Sequence, residues 1–185
     1  MARGAQVAGG AAAGAVAWSM AEYAVHRWVM HGRRTSNPVT AEHLDHHRDL
    51  QRTDPIRLDR SLIWPIGTGL AVGSAVSPLA GTRAGVATGA SFAACYCVYR
   101  QLHWAIHHRA PRARWGAYLR RHHLRHHVGH PRANHGVTTP VWDLILQSYR
   151  RDDGPVAMPA SLAPPWSWRP DGSADPAMAR VVVLR

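Results

Sequence analysis

"SLIWPIGTGLAVGSAVSPLAG", residues 61–81, contains no charged side chain, and neither does "AGVATGASFAACYCVY", residues 84–99, which follows Arg83. A helix rises 1.5 Å per residue, so about 20 apolar residues cross the roughly 30 Å hydrocarbon core of a bilayer. The two runs predict a hairpin of helices turning within Ser77 to Arg83. A third run lies upstream, "AQVAGGAAAGAVAWSMAEYAV" over residues 5–25, interrupted only by Glu22. Each run carries a small-xxx-small step (Gly10 and Gly14, Gly69 and Gly73, Gly85 and Gly89), a spacing that lets helix backbones approach closely in lipid. A secretory signal behind Arg3 is a competing reading of the first run, but the helical pattern continues unbroken into "EYAVHRW". Soluble buried helices are another, since alanine and glycine make the runs only weakly hydrophobic.

Charge supports the membrane reading. All 22 basic residues are arginine, against 11 acidic ones, giving a formal charge of +11. Such an excess ordinarily suggests nucleic acid or an anionic membrane surface. If residues 5–25, 61–81 and 84–100 each cross once, segments 26–60 and 100–185 share one face. Those segments hold every histidine and 20 of the 22 arginines, only Arg3 and Arg83 lying outside. The positive-inside rule then makes that face cytoplasmic, and no nucleic-acid partner is needed to explain the charge. An arginine-, alanine- and glycine-rich chain without lysine further suggests a GC-rich bacterial genome, hence an inner membrane. Cys95 and Cys97 stand too close for an ordinary disulfide and have no second pair to complete a zinc ribbon, so they read as apolar filler.

The chemistry lies in the histidines. They form four groups: "HRWVMH" with His26 and His31, "HLDHH" with His43, His46 and His47, "HWAIHH" with His103 and His107, and "HHLRHH" with His123, His126 and His127. Residues three or four apart share a helical face, so each piece can direct several imidazoles to one point. The five-residue step from His26 to His31 does not fit one α-helical face and requires a helix end, a distortion or two different ions. Imidazole ligates only when neutral, and ten of them exceed the four ligands of a tetrahedral zinc. Two ions with about five ligands each is the natural count. Ligand type alone does not choose among iron, zinc, copper and nickel. The Glu-x-x-His pairs of carboxylate-bridged di-iron bundles are absent.

These groups, "EYAVHRWVMHG", "HLDHHRD", "HWAIHH" and "HHLRHH", followed by "NHGVTTPVWDLILQSY", resemble the fatty acid hydroxylase and sterol desaturase superfamily of integral-membrane di-iron enzymes from about Glu22 to Tyr149. The resemblance implies an all-α fold, an integral-membrane helical bundle with a cytosolic histidine-rich helical cap, over residues 1–150. An irregular tail, residues 151–185, would follow, with "PPWSWRP" at the membrane surface. It implies two irons activating O2, with zinc as a possible substitute, held by His26, His31, His43, His46, His47, His103, His107, His123, His126 and His127. The implied activity is hydroxylation of a lipid C–H bond, a fatty-acyl chain first and a carotenoid hydroxylase or sterol-type desaturase as alternatives. A membrane zinc-binding protein without turnover is the non-enzyme alternative. Electrons would come from a separate donor protein, cytochrome b5-like or ferredoxin-like. The sequence departs from the family's glycine-threonine ending after Trp142 and Asp143, where "LILQSY" stands instead.

Some residues beyond the ten have expected supporting roles. Glu22, four residues before His26, is positioned to accept a hydrogen bond from that ring's second nitrogen and fix its tautomer. Asp45 and Asp49 are candidates for the same work, or solvated helix charges. His108 and His122 are further candidates near the site, His130 and His135 default to surface or supporting places, and Asp143 is expected to be structural.

Overall fold

The computed structural model describes residues 3–32, 37–151 and 154–185. Six α-helices make up most of it: α1 (Arg3–Ala24), α2 (Pro38–Arg48), α3 (Ile63–Ala80), α4 (Thr82–His108), α5 (Arg114–Val128) and α6 (Val141–Ile145). The expectation of an all-α chain needs a small correction, because Val156–Met158 (β1) and Val182–Leu184 (β2) pair as a parallel two-stranded sheet, with Val156 opposite Val182. The chain divides into two compact units, residues up to Glu22 with Pro55–Gln101, and Tyr23–Asp54 with Leu102–Arg185.

The first unit is built by glycine contacts among α1, α3 and α4. A Cβ on Gly10 would lie 2.4 Å from the Ala84 carbonyl oxygen, one on Gly14 2.2 Å from that of Thr88, and one on Gly89 2.3 Å from that of Gly69. These backbones touch, as the small-xxx-small steps predict. Trp18 stacks on Tyr96 (4.4 Å) and meets Phe92 edge-on (5.3 Å), filling the space beyond the last glycine contact. The predicted turn shrinks to one residue: α3 runs through Pro78 to Ala80, and Gly81, at φ +90°, turns directly into Thr82. Only glycine adopts that conformation freely. Other large apolar side chains of this unit face outward, Trp64 at 68%, Leu70 at 67% and Leu79 at 87% exposure. Among the described residues, one helical stretch, Arg60–Ala80, is long and apolar enough to cross a membrane; α1 and α4 are helical as expected but do not meet that measure.

The second unit buries large residues. Leu50, Ala117, Leu124, Val156, Met158, Trp166, Val181 and Val182 form its apolar core, so the stretch after residue 150, though short of regular structure, is packed against α5. Trp166 is buried there rather than presented outward, and its indole N–H donates to the Ile106 carbonyl at 3.0 Å. Arg120 donates to the carbonyls of Ala105 (2.8 Å) and Arg109 (2.9 Å). Together they bond carbonyls at the end of α4, that of Ala105 accepting from the Arg109 amide as well.

Candidate metal centre

The second unit concentrates the histidines, and a π-helical turn accounts for the awkward first pair. Over Val25–Met30 the helix widens, and the amide of His31 bonds to the carbonyl of His26, five residues back, at 3.2 Å. One extra residue per turn brings positions i and i+5 to one side, as i and i+4 are in an α-helix. The two rings accordingly stand 5.2 Å apart. Of the alternatives open to this pair, distortion is the one realised. α2 follows, started by Asn37, whose side-chain oxygen accepts from the Val39 amide at 2.9 Å, and by Pro38 at its first position. Thr40 ties it back by donating to the Val29 carbonyl at 2.7 Å.

The ten histidines fall into two groups of five: His26, His31, His43, His47 and His126, and His46, His103, His107, His123 and His127. Within each group, one ring nitrogen from every member lies within 4.8 Å of all the others. The partition cuts through both HxxHH motifs. His43 and His47, four apart on α2, join the first group while His46 between them joins the second; on α5, His123 and His127 join the second while His126 joins the first. The two groups thus exchange roles. Each has one whole motif, the i, i+4 pair of another and the odd histidine of a third.

The nitrogens stand at hydrogen-bond distance, but in more mutual contacts than protons can serve. His31 Nε2 lies 2.9 Å from His126 Nε2 and 2.8 Å from His43 Nε2, which is itself 3.0 Å from His47 Nε2. In the second group His46 and His103 meet at 3.2 Å, His107 and His123 at 3.1 Å, and His127 and His123 at 2.9 Å. A neutral ring nitrogen offers either one proton or one lone pair, so a row of four such atoms cannot be satisfied by protons alone. A shared cation satisfies it. Two nitrogens at right angles about an ion, each about 2.0 to 2.1 Å away, are about 3 Å apart, and two on opposite sides about 4.2 Å. The donor set fits a metal.

Burial and crowding of like groups keep the rings neutral. Burial first, then neighbouring histidines, lower His26, His43, His103, His107, His123, His126 and His127 far below the usual imidazole value. Burial and His135 lower His31 to about 4, and burial with His31 lowers His47 to about 3. His46 falls to about 4 by burial, partly offset by the backbone and carboxylate of Asp49. Neutral, lone-pair-bearing imidazole is the form that ligates.

The supporting residues take different places. The Nδ1 of His26 pairs with the carbonyl of His135 at 2.5 Å, so a loop fills the place foreseen for the buried Glu22. Asp45 is about half exposed and pairs with Arg48 (2.8 Å), with Arg52 at 3.7 Å; it is a solvated helix charge. Asp49 ends α2 and accepts from the Gln51 amide, near enough to His46 to oppose its fall. His108 bonds to Thr53 at 2.9 Å and His122 to Asp143 at 3.2 Å, and neither joins a group. Of the two default histidines, His130 is exposed and His135 is buried, its ring 5.3 to 5.7 Å from those of His26, His31 and His126. Ala133 escaped sequence reading, and the way His135 supports the site did too, because both contribute backbone oxygens, which any residue type supplies: the carbonyl of Ala133 meets His126 Nδ1 at 2.7 Å, as that of His135 meets His26.

The chain is similar to known proteins in sequence and in fold. The fatty acid hydroxylase family model matches residues 11–148. The chain is 27% identical over 143 residues to the fatty acid 2-hydroxylase of Macaca fascicularis, covering 71% of this chain and 37% of that protein. It is 26% identical over 147 residues to the fatty acid 2-hydroxylase of Homo sapiens (73% and 38%), and 25% identical over 143 residues to the dihydroceramide fatty acyl 2-hydroxylase FAH2 of Arabidopsis thaliana (72% and 57%). It therefore spans less than two thirds of the length of each of these relatives. A solved structure described as full-length scs7p, with only the hydroxylase domain visible, superposes with a TM-score of 0.60 at 24% identity, over 83% of this chain and 59% of that one, and so shares its fold. With the family match running through all four histidine groups, the chain belongs to the fatty acid hydroxylase family.

Proposed function

We propose that this chain is a membrane-embedded, O2-dependent hydroxylase that inserts oxygen into a C–H bond of a lipid, a fatty-acyl chain in the first instance. The observation that carries the reading is the gathering of ten imidazoles into two groups of five, with ring nitrogens 2.8 to 3.2 Å apart. All ten serve as metal ligands. Two iron ions held there would supply dioxygen activation and removal of hydrogen from an unactivated C–H bond, and zinc fits the same nitrogens.

The chain's own residues contribute binding and orientation. Burial keeps the rings unprotonated, and the carbonyls of Ala133 and His135 hold protons on the Nδ1 atoms of His126 and His26, leaving each Nε2 lone pair for a metal. The names of the relatives support an acyl substrate. Outward-facing Trp64, Leu70 and Leu79 and the apolar stretch Arg60–Ala80 support a bilayer location, where an acyl chain enters without crossing water. The arginine distribution favours an inner membrane with the histidines on the cytoplasmic face. Reducing equivalents come from a separate donor protein, cytochrome b5-like or ferredoxin-like.

The test is expression with such a donor under 18O-labelled dioxygen, followed by mass spectrometry of extracted lipids. Labelled hydroxyl groups on fatty-acyl chains are expected with the wild type and not with His123→Ala. Label on carotenoids alone would move the substrate assignment there. Absence of label from every lipid class, in a protein holding two irons and a working donor, would sink the reading.

A further inference from the structure

The two histidine groups are supported unequally. In the first, two Nδ1 atoms rest on carbonyls of the loop after α5, those of Ala133 and His135. In the second, the buried Nδ1 atoms of His46, His107, His123 and His127 have no hydrogen-bond partner among the described residues. The loop is itself organised by one fully buried carboxylate. Asp143 Oδ1 accepts from the His135 amide (2.8 Å) and the Ser148 hydroxyl (2.7 Å), and Oδ2 accepts from the Gly136 amide (2.8 Å) and lies 3.2 Å from His122 Nε2. Burial alone would raise this carboxyl, but bonds from His122, His135, Ser148 and Gly136 outweigh it and hold it well below the usual carboxylate range.

The loop cannot easily find another course. Asn134 sits at φ +57°, a left-handed conformation that asparagine tolerates better than most residues, and its side chain bridges the His122 carbonyl (3.2 Å) and the Arg150 amide (2.7 Å). A Cβ on Gly136 would lie 2.1 Å from the Thr139 carbonyl oxygen. Ser148 also meets the Tyr23 hydroxyl at 2.8 Å, so the same carboxylate is linked to the turn that precedes His26.

Building on the metal-centre reading above, we propose that Asp143 is a positioning residue for one metal site only. It fixes the Ala133 and His135 carbonyls, which select the Nδ1–H form of His126 and His26 and aim both Nε2 lone pairs into the His26, His31, His43, His47 and His126 group. The other site takes no support from it.

The experiment loads purified full-length protein with cobalt or zinc in detergent and follows release to a chelator. Wild type holds two ions. In Asp143→Ala one ion leaves at least about tenfold faster, within the 10- to 100-fold cost of losing a ligand's supporting partner, and the other is unchanged. His126→Ala abolishes the phase that Asp143 affects, and His107→Ala abolishes the remaining one. Asp143→Asn gives an intermediate rate, because one oxygen can still accept from His135 and Ser148 while the amide N–H groups oppose Gly136. Should the alanine variant not fold, the asparagine variant and Ser148→Ala carry the same test. Equal acceleration of both ions, or of neither, overturns the inference while leaving the metal centre standing. A wild type that binds fewer than two ions overturns both.

Discussion

Metal retention should persist far into acid. A free imidazole titrates near 6.5, so at pH 5.5 about 90% of each would be protonated, and clearing the proton costs about 1.4 kcal/mol per ligand. Five unperturbed ligands would together lose about 7 kcal/mol, a factor of about 10⁵ in apparent affinity. In the folded protein His31 and His46 are lowered to about 4 and His47 to about 3, so at pH 5.5 a group at 4 is only about 3% protonated and proton competition nearly vanishes. The sign follows from the direction of the shifts. A group whose folded value is depressed favours the folded, ligating state above 6.5 and loses that advantage as pH falls toward its folded value. Purified, zinc-loaded protein equilibrated between pH 8 and 3, separated from free ion and analysed for metal, should keep both ions at pH 5.5 and release them between about pH 4.5 and 3, the range of these three values. Half-release near pH 6 to 6.5 would mean the rings titrate as if exposed, and would refute burial as the cause of their neutrality.

Other outcomes are equally specific. Replacing Gly89 by valine places a Cβ 2.3 Å from the Gly69 oxygen, which should cost about 1 to 3 kcal/mol or more in thermal unfolding, whereas Gly67→Ala, with nothing within 4 Å, should be near neutral. Met158→Ala, at a fully buried position in the second unit, should destabilise by about 2 to 5 kcal/mol in the same assay. His108→Ala should retain both ions by metal analysis while His47→Ala loses one, since only the latter belongs to a five-membered group. Thiol labelling of single cysteines in intact cells, in a Cys95 and Cys97 double-serine background, should find Gly81 outside and the exposed Gln51 protected inside; the reverse pattern would invert the face assigned to the histidines.

Much of this was written in the sequence because helix geometry is local. The HxxHH and HxxxH spacings identify faces, and the glycine pairs mark where backbones meet, because periodicity and the absence of a side chain act at the residue itself. Gly81 illustrates the limit: a turn was legible between residues 77 and 83, but its one-residue length depends on how far α3 packs along α4 before stopping. The tail likewise reads as irregular by composition, and only burial of Met158, Trp166 and Val181 against α5 makes it part of a core.

At the candidate metal centre, spacing and the family resemblance singled out the ten histidines, and ten imidazoles exceed what a single ion accommodates, so two groups were expected from sequence. The sequence did not determine the partition. Adjacent residues on a helix point about 100° apart, so His126 and His127, like His46 and His47, must diverge, but which neighbour joins which group depends on where the other helices stand. The π turn from Val25 to Met30 is of the same kind, an unfavourable local conformation held because His26 and His31 must face one point. The supporting oxygens of Ala133 and His135 belong wholly to the tertiary structure, because a backbone carbonyl has no signature in sequence and acts only once Asp143 has fixed the loop that carries it.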